Sequence, residues 1–283
     1  MITATAPGSS ANLGPGYDVL ALALDLRCRV AVEAAVEWSV LSGGVPAESG
    51  GLDLVRRTVE AVAPGSESLR VEIESEIPLA RGLGSSAALI VATSGAAREF
   101  AGASIDADEL LSIVAGVEGH ADNVAAALYG GMVAVGSMGE IRFLDVHPSL
   151  EVLVAVPDAT LPTERARRVT AGPVETGVAA RTSARMVSLL EGLRTGDPVA
   201  LAAAAGDELH ESRRAHLSPV TGRLIGAAVE AGALHACWSG AGPSVLVVVT
   251  PETSDAVRNA LAATLQGGYV LSPDIDRRGL IIG

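Results

Sequence analysis

Residues 69–75, LRVEIES, alternate without a break: Leu69, Val71 and Ile73 fall on one face, Arg70, Glu72 and Glu74 on the other. That is the period of a half-buried strand. The strand runs into EIPLARGLG, a proline-then-glycine loop, and the loop into SSAALIVATSGAAREFAG. This last stretch reads as a helix buried over most of its circumference. A strand that turns through glycines into a buried helix constrains the chain more than any other segment, because the helix must have a sheet to lie on.

The remaining elements supply that sheet and a second one. ITATA at the start and LRCRVAVEAAV (26–36) read as strands, with PGSSANLGPG between them as a loop. Residues 52–63 fit a helix, and 106–117 another, opened by Asp106 as cap with Glu109 three residues on. EGHADN and VAAALYGG follow, then a strand pair near 131–146. A second half begins near residue 150 with EVLVAVP. It continues through Ala-rich helices between 162 and 232, strands near 234–238 and 244–250, a helix at 253–264 and a last strand near 268–271. The expectation is an α+β protein of two halves, 1–150 and 151–283, sharing a cleft. Hydrophobic residues are 49% of the 283 but aromatics only 2%, so the cores must be built from Ala, Val, Leu and Ile.

Charge and composition exclude several functions. A net charge of −13 repels nucleic acid and anionic lipid, so neither is expected as a partner. A nucleotide is still admissible, because backbone amides and local Arg residues act at short range while bulk charge is screened beyond about 8–10 Å. The chain has no lysine. That excludes a Walker-type loop, Schiff-base chemistry and pyridoxal-phosphate attachment. Cys28 and Cys237 form no metal-like or disulfide-dense pattern and read as buried free thiols. Residues 1–24 carry no basic start and are broken by GSS and GPG, and Gly82–Ala97 is too short to span a bilayer. No membrane association and a cytoplasmic location are expected.

The loop before Ser85 has the makings of an anion site. The first-turn amides of a helix lack intrahelical partners, and the helix dipole adds partial positive charge. Gly82 and Gly84 let backbone approach an oxyanion unobstructed, and Ser85 and Ser86 can donate hydroxyls or ligate magnesium. An ordinary helix cap would look much the same, since Ser after Gly is common there.

Three ordered segments add a resemblance. PLARGLGSSAALIVA is similar to the second motif of the galactokinase, homoserine kinase, mevalonate kinase and phosphomevalonate kinase (GHMP) superfamily. APGSSANLGPGYDVLALAL (6–24) resembles its first motif and SGAGPSVLVV (239–248) its third. SANLGPGYD and EGHADNVAAALYGG resemble the homoserine kinases in particular. The resemblance implies a two-domain fold: an N-terminal ATP-binding α/β domain with a left-handed βαβ unit, a C-terminal ferredoxin-like domain, and a cleft between them. It implies an ATP- and magnesium-dependent transfer of phosphate to the hydroxyl of L-homoserine, in threonine biosynthesis, by a homodimer.

It also implies roles. Pro78, Leu79, Ala80, Arg81, Gly82, Leu83, Gly84, Ser85, Ser86 and Ala87 would hold ATP, with Arg81 touching nucleotide or covering the cleft. Ser86 and Glu118 would hold magnesium, a chemically sufficient pair beside phosphate and water. Asn12, Asp18, His120, Thr163, Arg167 and Arg214 would hold the acceptor: Asp18 its ammonium, Arg214 its carboxylate, Asn12 its hydroxyl. Asp122 and Asn123 belong to the acceptor-side cluster, though Asp122 suits helix capping equally. Asn12, Ser86 and Glu118 would carry catalysis. The Lys–Asp pair of mevalonate kinase-like relatives is impossible here, and no general base is named. Arg165, Arg168 and Arg213 read as solvated. Tyr17 stands where Phe is commoner, and segment 42–52 looks short. Other readings are a kinase of another small hydroxyl compound, a diphosphate decarboxylase of the same fold, or a nucleotide-binding regulator without turnover.

Overall fold

The computed structural model describes residues 1–66 and 68–283. Its first sheet has eight strands, organised by the 15-residue strand Leu20–Ala34. That strand is long enough to take three antiparallel neighbours. Ile2–Ala11 runs along most of one side; Leu69–Ser75 pairs with Cys28–Ala34; Met132–Val135 pairs with Leu20–Leu22. Beyond Leu69–Ser75 lies Ser39–Ser42, parallel to it and reached through the helix Ser49–Val62. A parallel pair needs such a crossover. The helix Ser85–Phe100 packs on Ile2–Ala11 and Leu20–Ala34, as does Asp122–Tyr129, and Ala107–Glu118 fills the angle between the helices. Eleven of the sixteen residues of Ser85–Phe100 are buried, which is why the sequence there holds so little charge. Its one cation, Arg98, donates to the carbonyls of Val62 and Ser104 and pairs with Glu109.

The second sheet contains Glu151–Pro157, His235–Trp238, Val245–Val249 and Gly268–Leu271, all antiparallel. Their spatial order is fourth, first, third, second, and helices connect the first to the second and the third to the fourth. This is the ferredoxin-like arrangement. Leu153, Ala155, Val245, Val247 and Val249 pack against the helices Pro219–Glu230 and Pro251–Thr264. The alternate residues Val152, Val154, Val156, Leu246 and Val248 join Leu13, Leu22 and Met132 in the main core. Burial on both faces explains why EVLVAVP and VLVVV lack the alternation of LRVEIES.

Several elements depart from the sequence expectation. Pro7–Ala11, read as loop, continues the first strand, its Ser9 and Ser10 fully buried under the second half. Ser39–Ser42 and Val45–Pro46 form a short hairpin that the sequence did not announce. The end of the chain returns to the first sheet, where Ile281–Ile282 pairs with Ala4 and Thr5. Buried Asp276 fixes that return, accepting from the amides of Arg278 and Gly279 (both 2.8 Å) and from the Arg27 guanidinium. Cys28 and Cys237 are buried free thiols, as expected.

Candidate active site

The loop 78–84 is pressed between parts of the chain far away in sequence. The Ser9 amide donates to the Leu83 carbonyl (3.0 Å), the Ser239 hydroxyl to the Gly82 carbonyl (2.8 Å) and the Leu161 amide to the Ala80 carbonyl (3.0 Å). Gly82 has φ +74°, and a Cβ there would lie 2.1 Å from the Ser239 carbonyl oxygen. Gly84 has φ +65°, and its Cβ would lie 2.2 Å from Ser9 Oγ. Only glycine meets both demands at each position. Gly84 caps the helix Ser85–Phe100 and no side chain bonds its first-turn amides, so those amides face the cleft unclaimed among the described residues. Arg81, read as touching nucleotide or covering the cleft, lines the cleft and is tied to three carbonyls. Its guanidinium donates to the carbonyls of Leu79, Pro157 and Asp158 (3.0, 3.0 and 2.8 Å), tying the loop to the second sheet.

Glu118 closes the helix Ala107–Glu118 and accepts a 2.6 Å hydrogen bond from Ser86 Oγ. Burial pushes its carboxyl above the usual carboxylate range, with the Ser86 bond opposing. A cation between the two oxygens would reverse that shift. Four residues on, Asp122 is buried and raised to about 6, again chiefly by desolvation. Its Oδ1 accepts from the Asn123 amide (2.7 Å), and Ser9 Oγ donates to Asn123 Oδ1 (2.8 Å). Half-buried His120 lies beside them on the cleft wall, its pKa lowered by burial and by Arg167.

Away from the loop, Asn12 has φ +73° and links the first and third motifs. Its Nδ2 donates to the Gly240 carbonyl (2.9 Å) and its Oδ1 accepts the Asp18 amide (3.1 Å). Asp18 and Arg167, expected as separate contacts, bond one another through both terminal guanidinium nitrogens (2.7 and 3.2 Å). Arg214 is 2% exposed. Its Nη1 donates to the Gly240 carbonyl (3.0 Å) and lies 3.1 Å from His210 Nδ1, while its Nε is buried with no partner among the described residues. Thr163 opens the helix Thr163–Thr170 at the cleft mouth. Arg213, read as solvated, instead donates to the carbonyls of Thr170 and Pro173 (3.0 and 2.8 Å), anchoring the segment after that helix.

One cleft of about 930 Å³ joins these groups, with Gly82, Ser86 and Glu118 at one side and Asn12, Arg167 and Arg214 at the other. That is room for a nucleotide and a small acceptor together. Ser42, Val45, Pro46, Leu54 and Leu89 line its apolar extension. Sequence reasoning noted Tyr17 only as a departure from Phe and missed His210 and Glu211, which support the site from outside the cleft lining. Tyr17 stacks on His210 (5.0 Å, 24°) and lies under the guanidinium groups of Arg167 and Arg214. The four-residue spacing of His210 and Arg214 was the available signal, since such pairs meet on one helical face.

Comparison with known proteins agrees with this geometry. Residues 53–131 match the family model for the GHMP kinases N terminal domain, and residues 189–267 that for the GHMP kinases C terminal. The homoserine kinase of Desulfitobacterium hafniense is 33% identical over 299 residues, covering 99% of this chain and 100% of the relative. The homoserine kinase of a Synechococcus species is 38% identical over 273 residues, covering 92% and 89%. Among solved structures, homoserine kinase from Cytophaga hutchinsonii superposes with a TM-score of 0.86 at 27% identity, covering 100% of this chain and 97% of that one. An Enterococcus faecalis mevalonate diphosphate decarboxylase shares the fold at a TM-score of 0.76 and 17% identity. With both family models matched and curated relatives aligned end to end, the chain belongs to the GHMP kinases and, within them, to the homoserine kinase family.

Proposed function

We propose that this chain transfers the γ-phosphoryl group of ATP to the side-chain hydroxyl of L-homoserine, giving O-phospho-L-homoserine and ADP, as a step of threonine biosynthesis. One observation carries the reading. A single cleft holds an uncapped helix N-terminus with the Ser86–Glu118 pair on one side and the cations Arg167 and Arg214 on the other, with Asp18 paired to Arg167. Phosphoryl transfer needs placement and charge stabilisation more than covalent help, and this arrangement supplies both.

The backbone of residues 78–87 binds the phosphates, with Arg81 holding the loop's shape. Ser86 and Glu118 offer two hard oxygen donors 2.6 Å apart, which fits magnesium. When bound, the ion would neutralise phosphate charge. Among the described residues there is no cluster of three or more His, Cys, Asp or Glu side chains that would hold a metal by protein ligands alone. Arg214 and Arg167 take the acceptor carboxylate, Asp18 the ammonium, and His120 and Thr163 border the same pocket. The N–H that Asn12 has left after bonding Gly240 orients the acceptor hydroxyl. We assign no general base. The division at 150/151, the cytoplasmic location and the homodimer belong to this reading too. No helix among the described residues is long and apolar enough to cross a membrane.

A coupled ADP-release assay over homoserine, threonine, mevalonate and galactose, with and without magnesium, tests the proposal. Turnover is expected with L-homoserine and to require the metal. Preference for mevalonate or galactose, or ADP release indifferent to every acceptor, would overturn it.

A further inference from the structure

We infer that His210 is a positioning residue that turns Nη2 of the Arg214 guanidinium toward the acceptor; the inference rests on the acceptor side proposed above. His210 is fully buried, stacked on Tyr17 and 2.8 Å through Nε2 from the Gly14 carbonyl oxygen. A carbonyl can only accept, so Nε2 carries the proton and Nδ1 is left bare. Nδ1 then accepts from Arg214 Nη1 at 3.1 Å, and the other Nη1 hydrogen goes to the Gly240 carbonyl at 3.0 Å. Both hydrogens of Nη1 are thereby spent. The guanidinium is planar, so fixing one nitrogen by two acceptors, with the Tyr17 ring 5.3 Å away, fixes the whole fork. What remains for a ligand is Nη2, which has no protein partner among the described residues, while Nε is buried and out of reach. A carboxylate entering the cleft meets that Nη2 as a charge-assisted donor.

The short segment that carries His210 is itself built to hold still. Buried Asp207 accepts the amides of His210 and Glu211 through one oxygen (2.6 and 3.0 Å), and Glu211 Oε1 accepts the Trp238 amide (2.7 Å). His210 must also stay neutral, since a second N–H on Nδ1 would point at the Arg214 donor. Burial and Arg214 favour that neutral form, with Asp207 and Asp18 opposing.

The test is a double-mutant cycle read on steady-state kinetics and on calorimetric binding of L-homoserine. His210→Gln keeps a donor for Gly14 and removes the acceptor for Arg214. His210→Asn does the reverse, its Oδ1 replacing Nδ1. His210→Gln is expected to raise the acceptor KM by roughly tenfold, the scale of one charge-assisted bond, and to leave the ATP KM unchanged. His210→Asn should restore most of the acceptor affinity. In an Arg214→Ala background, His210→Gln should cost nothing further, because residues acting through one another are not additive. An equal loss in both backgrounds, a parallel rise in the ATP KM, or an Asn variant as weak as Arg214→Ala would overturn the inference. So would an unchanged acceptor KM in His210→Gln. Should Gln fail to fold, the Asn variant alone decides. If the wild type prefers a different amino-acid alcohol, the homoserine reading fails and the cycle is read on that acceptor; a wild type binding no such compound would sink both.

Discussion

At the scale of single residues, the sequence motifs meet at one cleft, but the sequence left their partners undefined. Asn12 and Arg214 both reach the Gly240 carbonyl, one from the first motif and one from the second half. They differ in what is left over. Asn12 retains one N–H beside a loop it also shapes, whereas Arg214 retains a charged Nη2 donor. Arg214→Ala is therefore expected to raise the acceptor KM by roughly 10- to 100-fold with little change in kcat, as the loss of a charge-assisted contact would. Asn12→Ala is expected to lower kcat chiefly. Steady-state kinetics with both substrates varied checks this split, and changes confined to the ATP KM would contradict it. Asp18 and Arg167 show why pairing was illegible in the sequence. They stand 149 positions apart and come together only because the first-motif loop faces the helix Thr163–Thr170.

The decisive elements are the phosphate loop and the strands that clamp it. The strand LRVEIES and the helix beginning at Ser85 were legible to the residue, because a period of two and a buried helical run are local patterns. So was the Asp106 cap, whose Oδ1 accepts the Glu109 amide at 2.8 Å. Pro7–Ala11 was not, since glycine, proline and serine signal a turn unless a neighbouring strand takes up their backbone groups, and here Leu20–Ala34 does. The hairpin at 39–46 escaped for the same reason, being too short to carry a pattern. The loop's rigidity yields a prediction. Gly82→Ala places a methyl group 2.1 Å from the backbone oxygen of Ser239 at φ +74°, which no side-chain movement relieves. Loss of ATP affinity by at least about tenfold is expected, together with destabilisation of about 1–3 kcal/mol. Isothermal titration with ATP and thermal unfolding measure the two, and an unchanged ATP affinity would mean the loop does not hold phosphate.

Across the whole molecule, the two halves share one core and one cleft, so burial couples them. Glu211 shows the consequence for pH. Its carboxyl, buried behind Arg214 and raised to about 8 by desolvation with Asp207 adding and Arg214 opposing, keeps a proton that the unfolded chain releases near pH 4.5. Between those values the native state binds more protons, so this group's contribution to stability falls as pH rises from about 4.5 to about 8. Glu211→Gln keeps an oxygen for the Trp238 amide and removes the titration. Its melting temperature is expected to fall less than that of the wild type between pH 5 and pH 8, and parallel curves would refute the assignment. The sequence by itself determined the local material: the strand Leu69–Ser75, the helices that open near Ser85 and Ala107, where glycine opens a loop before a helix, and that no lysine is available for catalysis. Tertiary structure alone decided which distant donors meet which acceptors: Asp18 with Arg167, Asn12 and Arg214 with the Gly240 carbonyl. The first kind of information is written in periods of two and 3.6 residues along one segment. The second depends on contacts between segments up to more than two hundred residues apart, whose geometry exists only after both sheets have packed against a common core.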